Sequence, residues 1–248
     1  MDARALTERL AALGVHSVLA QFTDLHGVAK GKLVPLARLN DLLDTGAGFS
    51  GPSIWGTGLP RMGPRSEYYA RVQPESLRLL PFMPGVAHAV CDGYAGGEPL
   101  DTCPRQLLKR QLAVLAQRGW KLWVGIEPEF FLLRQDVDGR WHPFDAADQL
   151  DKPSYDLKSI QRNLGFVQDM QDTLSQLGFE IEQIDHEDAH GQYEINYRFD
   201  EALAAADRFM LFKMAAHAIA ERHGSVFSCM PKPMVRAPAL HRLPLRAG

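Results

Sequence analysis

Four glutamates in two short clusters carry the chemistry open to this chain: Glu127 and Glu129 within Gly-Ile-Glu-Pro-Glu-Phe-Phe, and Glu187 and Glu194 within Asp-His-Glu-Asp-Ala-His-Gly-Gln-Tyr-Glu-Ile-Asn. Each cluster lies where an apolar, strand-like run begins or ends. Side chains two apart on a strand share a face. Glu127 and Glu129 are therefore predicted to project together from the end of a strand over residues 122–126. Gln192, Glu194 and Asn196 likewise share a face, with Tyr193, Ile195 and Tyr197 on the other. A lone Glu at a strand end is ordinarily a solvated rim residue, but carboxylates converging from an apolar sheet cannot all stay ionised without a cation between them. An oxygen-only ligand set suits Mg²⁺ or Mn²⁺ rather than zinc. On spacing alone two chemistries stay open, a two-metal phosphohydrolase and a phosphate-transferring ligase.

The elements that must position these groups belong to an ordinary globular chain. The 248 residues are 46% hydrophobic and 23% charged, enough for one large domain or two modest ones. A formal charge of -3 leaves no electrostatic footprint for nucleic acid, and no apolar run approaches the ~20 residues that span a bilayer. The start, Met-Asp-Ala-Arg-Ala-Leu-Thr-Glu, is charged and helical rather than a signal peptide. Cys91, Cys103 and Cys229 are odd in number and widely separated, so neither a disulfide framework nor a zinc knuckle is expected, and a cytoplasmic location is.

Helical spacing of Leu6, Leu10 and Leu13 precedes a strand over residues 15–22, a turn at Thr23–Gly27, and a returning strand over 28–34 with Lys30 and Lys32 on one face. A short helix over 36–43 leads into residues 49–84, rich in Gly, Pro and Ser, which read as one long loop carrying Trp55, Tyr68 and Tyr69. A strand follows over 86–91. Asp101 or Thr102 is placed to cap a helix over 104–118, with Pro104 early in it. Beyond lie a strand over 120–126, one long amphipathic helix over 155–177, a strand over 179–184, a helix over 200–223 and a short strand over 225–229. This is an α+β order, divided here into an N-terminal domain (1–101), a second domain (102–233) and an aberrant tail (234–248).

Taken together, the motifs resemble one family. Asp24-x-His26-Gly27 with Lys30-Gly31-Lys32 comes first, then Met83-Pro84-Gly85-x-Ala87 with Cys91-Asp92. Gly125-x-Glu127-x-Glu129-Phe130, His186-Glu187-x-x-x-Gly191-Gln192-x-Glu194, Ala202-Leu203-x-x-Ala206-Asp207 with Lys213, and Met230-Pro231-Lys232-Pro233 follow in order. This set is similar to the glutamine synthetase family. The local wording at Gly46–Phe49, Trp55-Gly56 and 184–189 resembles its type III, γ-glutamylmethylamide synthetase branch.

The resemblance implies a small N-terminal β-grasp-like domain followed by the first half of an antiparallel-sheet catalytic domain. It implies ATP-dependent ligation of glutamate with ammonia or a primary amine such as methylamine, through γ-glutamyl phosphate. Glu129, Glu187 and Glu194 would hold the Mg²⁺ or Mn²⁺ nearest glutamate and the ammonium pocket, and Glu127 would serve a second ion on the ATP side. The implied assembly is a homo-oligomeric ring in which residues 15–99 of one subunit complete a neighbour's site. The family's Asp-Gly-Ser-Ser latch is not matched by Ser50-Gly51-Pro52-Ser53.

After Met230-Pro231-Lys232-Pro233 the family pattern stops. No Asp or Glu follows Glu221, and Met234–Gly248 shows neither strand alternation nor helical periodicity. The expectation is a C-terminally truncated fragment that folds poorly and lacks ligase turnover alone. The alternative is a non-catalytic relic that only oligomerises or binds metal and glutamate.

Overall fold

Strand β6 (Val86–Ala95), buried along nearly its whole length, lies inside the first sheet of this computed structural model, which describes residues 3–234. Strand β1 (Ser17–Thr23) buries Val18, Ala20 and Phe22 and pairs antiparallel with β2 (Ala29–Pro35) across the Asp24–Gly27 turn. Gly27 takes φ 73° there, and the Asp24 carboxylate accepts from the His26 and Val28 amides. Strands β3 (Ala47–Ser50), β4 (Glu67–Val72), β5 (Arg78–Leu79), β6 (Val86–Ala95) and β7 (Glu98–Pro99) complete a seven-stranded sheet. Its main order is β2-β1-β6-β4-β3, with β1 and β6 parallel and the other pairs antiparallel. Helices α1 (Ala3–Ala12) and α2 (Leu39–Asp44) contribute Leu6, Leu10, Leu39 and Leu42 to its core.

Residues 49–84, expected as one loop, contain β4 and β5 and the end of β3. Glu67-Tyr-Tyr-Ala-Arg-Val72 alternates exposed and buried positions, with Tyr68, Ala70 and Val72 inside; the flanking Gly and Pro residues hid that period of two.

The second layer begins with α3 (Pro104–Gln117). Its N-cap is Cys103, with no side-chain cap, rather than Asp101 or Thr102; the Thr102 hydroxyl instead donates to the Thr57 carbonyl at 2.9 Å. Strand β8 (Trp123–Val124) is short and pairs with β13 (Asp200–Glu201). The main sheet here comprises β9 (Glu129–Gln135), β10 (Trp141–Pro143), β11 (Ile181–His186) and β12 (Gln192–Tyr197) in the order β10-β9-β12-β11. Strand β14 (Val226–Ser228) also pairs with β9. Every pair is antiparallel.

Helices α4 (Leu157–Arg162), α5 (Leu164–Gln176) and α6 (Ala202–Arg222) accompany this sheet. Phe166, Met170 and Leu174 of α5 and Phe212, Ala215 and Ile219 of α6 pack with Phe130, Leu132, Tyr193, Ile195 and Tyr197 of the sheet. The expected single helix over 155–177 is two. Asp156 caps α4 by accepting from the Lys158 and Ser159 amides, and Asn163 breaks the run at φ -105°, ψ 18°. Its side-chain amide donates to the Ser159 carbonyl and to the Tyr193 hydroxyl, a local alternative to helical pairing.

Leu80, Phe82 and Val86 belong to this second core although they precede α3. Buried charge ties the two layers. Arg105 on α3 pairs with Asp92 of β6 and, Nε to Oδ1 at 2.9 Å, with Asp207 of α6, while Lys109 reaches Asp92 at 2.6 Å. The Lys213 ammonium, also on α6, donates to the Gly27 carbonyl at 2.7 Å. Among the described residues no helix is long and apolar enough to cross a membrane. The segment 234–248 set apart in the sequence lies, beyond Met234, outside the described residues.

Candidate metal centre

Strand register brings three carboxylates into one row. Asp185 of β11 lies directly opposite Glu194 of β12, and Glu194 lies directly opposite Glu129 of β9. Directly opposed residues on antiparallel strands share a face, their Cβ atoms about 4.5–5.5 Å apart. Glu187 joins from the turn that follows β11, and carboxylate oxygens of Asp185, Glu187 and Glu194 lie within 4.8 Å of one another. The opposite face of β12 is buried in the core through Tyr193, Ile195 and Tyr197. That alternation fixes which way the carboxylates point, because a slip of one residue would bury Glu194 among phenylalanines.

The first cluster is arranged differently from its expected strand. Strand β8 ends at Val124, and Pro128, which cannot donate to a ladder, immediately precedes the start of β9 at Glu129. Glu127 is exposed in the connection before β9, and Glu129 opens the strand beside Glu194. The Gln192 amide donates to Glu129 at 2.7 Å, holding that carboxylate against β12.

The electrostatics are those of crowded anions. Burial pushes Glu194 above the ordinary carboxylate range, and contact with the Glu187 carboxyl pushes it further, against a stabilising bond from Asn196. Burial and the Glu194 charge raise Asp185 in the same direction. The Oδ1 atoms of Asp185 and Asn196 are buried without a hydrogen-bond partner. Orphaned oxygens beside like-charged neighbours call for positive charge, and an all-oxygen set at this spacing fits a hard divalent cation. Asp185 is not marked in the sequence, because the apolar run that signals β11 ends at Ile184. The strand runs to His186 through an irregularity between Ile181 and Gln183, and Asp185, two residues before Glu187, carried the signal.

Behind the row sits a buried ion pair that no local sequence pattern marks. His186 is fully buried, its Nε2 2.7 Å from Asp148 Oδ2 and its Nδ1 2.8 Å from the Glu187 carbonyl. Both partners are acceptors, so two donors satisfy them only in the imidazolium. Burial opposes that charge, but Asp148 outweighs it and holds His186 above its ordinary value. Burial likewise pushes Asp148 up, and the donors of His186 and Gly191 overcome it to hold the carboxyl low.

Comparisons with known proteins agree with this architecture. The glutamine synthetase catalytic-domain family matches residues 101–241, a span that takes in the first part of the segment set apart from residue 234. A glutamate–methylamine ligase of Methyloversatilis universalis is 43% identical over 225 residues, covering 90% of this chain and 50% of the relative. A glutamine synthetase of Rhizobium meliloti is 36% identical over 220 residues, covering 89% of this chain and 49% of that one. A solved GmaS–ADP complex superposes with a TM-score of 0.85 at 38% identity, over 92% of this chain and 52% of that one. Apo GmaS superposes at 0.87 and 37% identity, over 93% and 53%. The chain thus spans about half the length of the relatives it matches. On the shared catalytic-domain sequence and the matching mixed α+β fold, it belongs to the glutamine synthetase family.

Proposed function

We propose that this chain contributes one side of the active site of an ATP-dependent ligase that joins glutamate to ammonia or methylamine through γ-glutamyl phosphate. The observation that carries the proposal is the convergence of Asp185, Glu187 and Glu194, with Glu129 opposite Glu194, on one face of a sheet whose other face is buried in the core. Glu129, Glu187 and Glu194 would hold Mg²⁺ or Mn²⁺, and Glu127 would serve the ion on the ATP side. A divalent ion bound there supplies positive charge for the phosphoryl group and the acyl phosphate. The chain's own residues orient and insulate. Gln192 fixes Glu129, Asn196 supports Glu194, and the Tyr193–Ile195–Tyr197 face closes the rear of the sheet to water. The fourth carboxylate, Asp185, deepens the negative potential that would draw a metal or an ammonium group into the same pocket.

The proposal also takes residues 1–101 as a β-grasp-like domain and 102–233 as part of the catalytic domain. The parallel pairing of β1 with β6 beside the antiparallel β1–β2 hairpin supports the first of these. A cytoplasmic homo-oligomeric ring, with the N-terminal sheet against a neighbour, completes the reading.

A second reading starts from the same carboxylate row, since a cation held there does not by itself require turnover. On that reading it binds metal and glutamate, or joins an oligomer, without turnover. Supplying the purified chain with ATP, Mg²⁺ or Mn²⁺, glutamate and either amine, and reading γ-glutamyl amide by mass spectrometry, separates the possibilities. Amide that disappears in E187Q assigns the whole reaction to these 248 residues. Metal binding without amide favours the second reading, and phosphate release independent of glutamate would point to a phosphohydrolase instead.

A further inference from the structure

The Asp148–His186 pair lies on the far side of the sheet from the carboxylate row, yet it grips the turn that joins two of its members. Asp148 is 2% exposed and belongs to the connection between β10 and α4. One of its oxygens, Oδ2, accepts from His186 Nε2 at 2.7 Å and from the Gly191 amide at 2.5 Å. His186 is the last residue of β11 and Gly191 the last before β12, so a single carboxylate oxygen closes both ends of the 187–190 turn. The other His186 nitrogen bonds the Glu187 carbonyl, fixing the backbone of a row member directly.

The rest of the turn has little freedom once these ends are set. Gly191 takes φ 74°, and a Cβ there would stand 3.0 Å from the Leu132 carbonyl and 3.1 Å from Pro143. The Glu187 amide donates to the Gln192 carbonyl at 3.0 Å, and the Ala189 amide to the Gln192 side chain at 3.1 Å. His186 also packs edge-on against its cross-strand partner Tyr193 at 5.1 Å, and the Tyr193 hydroxyl accepts from Asn163. Side chains alternate along β11, so the anchor at His186 points to the rear while Asp185 and Glu187 face the row.

We infer that Asp148 is a positioning residue for the metal site, acting through His186 and Gly191 to set the spacing of Glu187 and Glu194. This rests on the metal-binding reading of those carboxylates given above. Outer groups that orient metal ligands change affinity by about 10- to 100-fold when removed. Their removal leaves the ligands themselves in place, so binding weakens rather than vanishing.

The test is Mn²⁺ binding by electron paramagnetic resonance on the 248-residue chain and its D148A and D148N variants, with thermal melts alongside. D148A is expected to weaken Mn²⁺ at least tenfold, and D148N, which keeps the shape and one acceptor, to recover part of that loss. L39A, which opens a cavity in the separate core of the first sheet, lowers the melting temperature without moving Mn²⁺ affinity and so separates positioning from stability. Wild-type affinity in a folded D148A or D148N overturns the positioning role while leaving the metal reading intact. Absence of Mn²⁺ binding in the unsubstituted chain overturns the metal reading, and the positioning role with it. Should D148A fail to fold, D148N decides: affinity equal to the parent refutes the inference.

Discussion

Replacing Glu194 with glutamine should reverse its effect on stability according to whether a divalent cation is present. Glu194 stands opposite Asp185 and Glu129 and within 4.8 Å of Glu187. A like-charge cross-strand pair costs about 0.2–1 kcal/mol, so neutralising the central member of the row should relieve about 1–2 kcal/mol in chelator. For a chain of this size that is a rise of about 3–6 °C in melting temperature. The pH dependence has a defined sign. Glu194 and Asp185 both titrate above the ordinary carboxylate range in the folded state. The stability they contribute is therefore complete below that range and lost as pH rises through the raised values, because the unfolded chain ionises first. The advantage of E194Q in chelator should grow from about pH 4 to pH 7. With Mn²⁺ at about a hundred times its Kd the parent gains about 2.7 kcal/mol, and the variant, short of a ligand, gains less. Melting curves in EDTA and in MnCl₂ should cross over between the two proteins. A lower melting temperature for E194Q than for the parent in EDTA at pH 7 would refute the reasoning.

Three further outcomes follow from the fold. His88 is 1% exposed and held down to about 4, first by burial and then by Arg78. The folded state should therefore lose about 3 kcal/mol as pH falls from about 6.5 to 4, since only the unfolded chain takes up that proton readily; urea titrations across that range should show the loss, and H88Q should abolish it. R105M should destabilise by about 3–5 kcal/mol in denaturant melts, because it strips one partner from the fully buried Asp92 and the bridge to Asp207. G93A should cost about 1–3 kcal/mol, since a Cβ at Gly93 would meet the buried Tyr68 hydroxyl at 2.5 Å; a melting temperature equal to the parent's would contradict that packing.

The row was partly legible in the sequence because period-two alternation survives in Gln192–Tyr197 even though the strand is only six residues long. Glu194 and its apolar rear face follow from that pattern without reference to any fold. What was not legible depended on register. Asp185 becomes a neighbour of Glu194 only when β11 pairs in one particular alignment, and an irregularity near Ile181 obscures where that strand runs. Asp148 sits in a polar connection 38 residues from His186, and nothing local distinguishes Asp145-Ala-Ala-Asp148 from a solvated loop. The first sheet shows the converse failure: β4 was hidden because Gly- and Pro-rich flanks read as loop, although Tyr68, Ala70 and Val72 kept the correct alternation. The break at Asn163 was likewise decided by a partner far along the chain, the Tyr193 hydroxyl.

Direct Mn²⁺ titration of the 248-residue chain tests whether the carboxylate row holds a hard divalent cation. One saturable Mn²⁺ per chain is expected in the row, competed by Mg²⁺ and lost in the combined E129Q/E187Q/E194Q variant. Failure of the parent chain to bind Mn²⁺, or binding that survives the triple substitution unchanged, would contradict it.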